Sequence, residues 1–66
     1  MSGAWASVIE GTRVTHIVPS MMNHAIGRVT EYAGKKYGVH YWWVEYVSRR
    51  KAKERTAWAE FVLVIV

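Results

Sequence analysis

The sequence predicts an all-β protein, a single small, highly curved antiparallel barrel of about five strands that occupies residues 1–66 as one domain. Three observations predict it. The hydrophobic fraction of 52% is too high for a disordered chain, and the excess lies in β-formers: Val, Ile, Tyr and Trp dominate while Leu occurs once. Turn-forming residues recur at short intervals, at Gly11, Pro19, Asn23, Gly27, Gly34 and Gly38, and leave strand-length segments between them. No Ser/Gly linker, internal repeat or second zone of composition divides the chain.

The elements follow in order. Residues 5–9 read as a lead-in strand and residues 13–18 as the first full strand, with Val14, His16 and Val18 on one face and Arg13, Thr15 and Ile17 on the other. Pro19 cannot donate to a ladder and ends that strand. Residues 19–25 (PSMMNHA) form a loop, residues 26–32 the second strand, and residues 33–36 (AGKK) a short hairpin connection. The third strand covers residues 37–47. Tyr37, Val39, Tyr41 and Trp43 share one of its faces and His40, Trp42, Val44 and Tyr46 the other, so both faces are apolar or aromatic. Residues 48–55 (SRRKAKER) fit a helical turn and a solvated hairpin loop equally well. Residues 57–66 are strand-like on both faces. An open edge ending in FVLVIV invites aggregation, so it is expected to pair within the barrel or across a subunit boundary.

A chain of 66 residues and 7.6 kDa hides only about 60% of its unfolded surface when it folds alone. With no cysteine, disulfides and the commonest zinc sites are excluded, which leaves good packing or self-association to supply stability and makes a homodimer one expectation. Nine Lys and Arg against five Glu give a formal charge of +4, a surplus that favours anionic partners. The N-terminus lacks a basic segment followed by an apolar run of signal-peptide length, and the longest apolar stretch, residues 61–66, is far short of a membrane span. The expectation is a complete small cytoplasmic gene product with no membrane partner.

Gly11-Thr12-Arg13-Val14-Thr15-His16, followed after a loop by Gly27-Arg28-Val29, resembles a pattern of small Src-homology-3-like barrels. The chain looks like the Tudor-like C-terminal domain of UvrD-type DNA helicases, the polymerase-binding domain of CarD-type transcription regulators and, more loosely, the KOW motif of ribosomal and elongation proteins. The resemblance extends over the YGVHYW and AEFVLV segments, hence roughly residues 9–66, with about six diagnostic positions. It implies glycines at tight turns, valines pointing into the barrel, and a His16 whose ring nitrogen bonds to backbone. It also implies binding in place of catalysis, either to RNA polymerase or another protein through a sheet edge, or to nucleic acid through loops and a basic face. Three departures stand out: no Phe-Gly pair before Gly27, extra aromatics in the third strand, and a basic run where many relatives carry a short acidic turn.

The basic run Arg49, Arg50, Lys51, Lys53 and Arg55 lies next in sequence to Trp42, Trp43, Tyr46 and Trp58. Cations beside rings are what an unpaired nucleic-acid strand needs, with phosphates on the charges and bases stacked on Trp42 or Trp43. A solvated loop that keeps an apolar barrel soluble explains the run equally well. Tyr41 and Trp58 are expected in the core. Trp42 and Tyr46, on the opposite face from Tyr41, are expected exposed or at a protein interface, joined there by Met21 and Met22 of the first loop, whose alternative is a lid over the barrel end. His16, His24 and His40 lie on separate elements at no metal-ligand spacing, and no Glu pairs in sequence with a histidine or nucleophile, so neither a metal, a cofactor nor an active site is predicted. Two functions stand: a module for nucleic acid or the transcription machinery, and a protein-interaction module docking on a host protein.

Overall fold

Val14 and His16 alternate inward with Arg13 and Thr15 outward, and this short amphipathic run forms strand β1, Arg13–His16. The structure is a computed structural model that describes residues 8–66. After β1 come a 3-10 turn, Pro19–Met22, then β2, Gly27–Lys36, β3, Val39–Val47, β4, Lys53–Ala59, a second 3-10 turn, Glu60–Val62, and β5, Leu63–Ile65. All pairings are antiparallel, in one sheet of order β4-β3-β2-β1-β5, and the sheet wraps one core. The fold is therefore all-β with five strands. β4 and β5 are its two edges.

Val14, Met22, Val29 and Val44 are completely enclosed, joined by Val8, Tyr46 and Leu63. Fully burying each such side chain contributes roughly 1.5–3 kcal/mol. The 3-10 turn begins on Pro19, whose fixed φ suits a first helical position, and ends on Asn23 and His24, both with positive φ. This reversal seats Met22 in the core and leaves Met21 half exposed. Gly27 lets β2 pass close by: a Cβ there would meet Val44 Cγ1 at 2.6 Å and Met22 Cε at 2.7 Å.

Several boundaries differ from the sequence expectation. β1 stops at His16 because the next amides turn elsewhere: Ile17 N–H donates to Val62 O (2.7 Å) and Val18 N–H to His16 Nδ1 (2.9 Å). The AGKK segment is the end of β2, and the connection is Tyr37-Gly38, whose φ values of 52° and 77° make a two-residue turn of the kind that matches strand twist. β2 runs past the expected end because it carries two bulges, between Val29 and Glu31 and between Tyr32 and Gly34, which break its alternation. Residues 48–52 form a turn closed by Lys51 N–H to Ser48 O (2.9 Å) and Ser48 N–H to Ala52 O (2.8 Å), and Lys53 and Arg55 already belong to β4. The closing segment is the end of β4, a 3-10 turn and β5, which pairs with β1 alone. Of the expected lead-in strand, residues 5–7 lie outside the described residues, and Val8 and Ile9 are not in a strand.

Candidate nucleic-acid interface

β2 and β3 form the longest hairpin of the sheet, paired from Arg28 with Glu45 to Lys36 with Val39. Cross-strand register fixes what each of its faces carries. Val44 pairs with Val29 in the core, so Trp42 and Tyr46 share the inner face and Tyr41 and Trp43 turn outward. This corrects the expected facing of the strand. Tyr46 is only 8% exposed and Met22 fully enclosed, so neither offers its side chain to a protein interface. Trp42 is half-buried against the core and tied by Nε1–H to Glu60 Oε1 (2.8 Å), with Tyr32 edge-on at 5.0 Å. Trp58 packs against the core as expected, its ring 4.5 Å from that of His16. Its buried Nε1–H has no hydrogen-bond partner. His16 accepts from Val18 N–H through Nδ1, so when neutral it carries its proton on Nε2.

The outer face reads as successive rows across the strands. Lys36 stands opposite Val39; Gly34, Tyr41 and Ala59 form the next row; then Glu31, Trp43 and Ala57; then Arg28, Glu45 and Arg55; and finally Val47 with Lys53. Gly34, Ala57 and Ala59 beside the two rings are small, which leaves an open groove of about 460 Å³ lined by Gly34, Lys35, Lys36, Tyr41, Trp43 and Ala57. That size lies in the range of sites that hold small ligands. Gly34 has a φ of +110°, a conformation that side chains rarely adopt, so the gap over Tyr41 is built into the backbone.

Arg55 lies over Trp43, its guanidinium carbon 4.4 Å from the ring centroid, and its Nη2 donates to Glu31 Oε1 at 2.7 Å. Lys53 Nζ stands 3.9 Å from Glu45 Oε1. Both pairs are exposed, and pairs of this kind contribute only about 0–1 kcal/mol, so each cation is cheaply released to another anion. Arg49, Arg50 and Lys51 are exposed in the turn beyond Lys53, and Lys51 holds a positive φ of 59°.

Of the residues singled out from sequence, the structure gathers Trp43, Lys53 and Arg55 on one face with the 49–51 turn at its end, and removes Trp42 and Tyr46 to the other. Tyr41, Arg28 and Lys36, which the sequence reading does not assign to a site, join that face, and Lys35 lines the groove from the neighbouring position. The signal for Tyr41 is alternation along β3, which does not say which face is inner; Arg28 and Lys36 lie on β2, where two bulges break the alternation. Among the described residues no cluster of three His, Cys, Asp or Glu is placed to hold a metal, and no helix is long and apolar enough to cross a membrane. Comparison with protein-family models, with curated proteins and with solved structures returns no match.

Proposed function

We propose that this chain is a nucleic-acid-binding module that takes an unpaired strand across the outer face of β2, β3 and β4 and performs no chemical step. The observation that carries the reading is the placement of Tyr41 and Trp43 on one face, two residues apart, between Lys36 at one end and Arg28, Lys53 and Arg55 at the other. Residues i and i+2 of a strand are about 6.6 Å apart, nearly twice the 3.4 Å rise per nucleotide of a stacked duplex strand. Two such rings therefore accept neighbouring bases only from a strand that is unpaired and unstacked. Base stacking on an aromatic ring contributes about 1–3 kcal/mol, and an arginine guanidinium also serves as a stacking plane, so the Arg55 layer over Trp43 does not close the site.

The test is fluorescence anisotropy of labelled single-stranded and duplex oligonucleotides at low and near-physiological salt, with the mass in solution measured alongside. Tighter binding of the single strand, with a steep loss of affinity as salt rises, is the expected result. No binding of either at low salt would refute the reading.

A second reading, a protein partner such as an RNA polymerase-type enzyme, draws support from the β5 side. β5 is an edge strand, and Phe61, Val64 and Val66 in and around it are exposed. An added strand there would meet unpaired backbone groups beside apolar side chains. Binding of this kind survives high salt, which separates it from the first.

A further inference from the structure

We infer that Arg13 and Arg28 form a clamp for a phosphate group, the anchor of the strand that crosses Trp43. The inference rests on the proposed function for the source of the phosphate, and on the geometry for the site itself. Arg13 of β1 and Arg28 of β2 are direct cross-strand partners on the outer face. Directly opposed residues have Cβ atoms about 4.5–5.5 Å apart, and like charges so placed destabilise the sheet.

The nearby carboxylates form no ion pair with these two arginines. Glu45 is the cross-strand neighbour of Arg28 on the β3 side, yet its Oε1 is paired with Lys53 at 3.9 Å; Glu31 is engaged by Arg55. Among the described residues, neither Arg13 nor Arg28 has a carboxylate within salt-bridge distance. Both are exposed and line a second open groove of about 430 Å³, whose lining also includes Ile26, Glu45, Val47 and Lys53. Two adjacent guanidinium groups offer planar forks of donors that match the oxygens of one phosphate and would turn the repulsion between them into attraction.

The clamp also sets the path of the ligand. Arg28 stands one row beyond Trp43 along the sheet, about 6.6 Å on, the reach of the phosphate next to a base stacked on that ring. From there the backbone continues toward β1, and the turn carrying Arg49, Arg50 and Lys51 lies off the main track.

Two measurements test the clamp with one set of proteins: wild type, Arg13→Gln/Arg28→Gln, and a turn variant with Arg49, Arg50 and Lys51 changed to Ser. In thermal unfolding at matched ionic strength, replacing chloride with inorganic phosphate is expected to raise the Tm of wild type and of the turn variant by more than that of the arginine variant, in which only the general kosmotropic effect of phosphate remains. In single-strand titrations, the arginine variant is expected to lose at least tenfold in affinity and about one from the slope of log affinity against log salt, the turn variant less than threefold. Removal of the like-charge contact keeps the arginine variant folded, and its Tm in low-salt chloride is expected to equal or exceed wild type. A phosphate-induced rise as large in the arginine variant as in wild type, or wild-type oligonucleotide affinity in it, would overturn the clamp. No oligonucleotide binding by wild type, with the arginine-dependent phosphate effect intact, would overturn the nucleic-acid source and assign the clamp to a free phosphate-bearing compound.

Discussion

The two faces of β3 carry nearly the same chemistry and have opposite fates. Trp42, Val44 and Tyr46 on the inner face meet Val29, Met22 and Trp58, lose water and hold the barrel together. Tyr41 on the outer face meets Gly34 and Ala59, and Trp43 meets Ala57 and Glu31, with only the exposed Arg55 side chain laid over its ring. A ring becomes structural or available according to what stands across the sheet from it, and its own identity decides neither. That is why four aromatics in six residues of one strand serve two purposes.

Substitutions separate the faces. The largest expected effect is on the inner one: Tyr46→Ala should cost about 3 kcal/mol in denaturant unfolding, because a large buried side chain leaves a cavity. Survival of near-wild-type stability would mean that β3 faces the other way. Gly27→Ala should cost about 2 kcal/mol, since its Cβ would press on Val44 and on the Glu45 backbone oxygen 2.9 Å away. On the outer face the signs divide. Trp43→Leu should leave stability within about 1 kcal/mol of wild type while weakening single-strand binding roughly tenfold, and a loss of stability without loss of affinity would return Trp43 to a structural role. Smallest is Glu31→Gln, which frees Arg55 from its carboxylate; single-strand affinity should rise by about twofold, the range of an exposed ion pair.

Much of this was legible in the sequence. The class, the number of strands, the core role of Trp58 and the backbone bond of His16 follow from composition, punctuation and the family resemblance. What escaped has physical causes. β3 is apolar on both faces, so period-two alternation identified the strand and left its facing undetermined. Gly34 makes AGKK read as the hairpin turn, whereas it serves a bulge; the turn uses Tyr37, 91% exposed and in a left-handed conformation that a bulky residue seldom takes. Arg13 and Arg28 lie fifteen positions apart in sequence, and only register makes them neighbours.

The bulges of β2 carry one more consequence. Over the ladder that joins Arg28 to Glu45 at one end and Lys36 to Val39 at the other, β2 spends nine residues against seven in β3. The surplus, Thr30 and Ala33, has no opposite residue, and unequal lengths tied at both ends must bend. Either position can be deleted without turning any other side chain to the opposite face, which is not true of a residue within a regular ladder. The arm thus holds two sites at which loss of one residue changes its curvature and leaves the distribution of side chains intact.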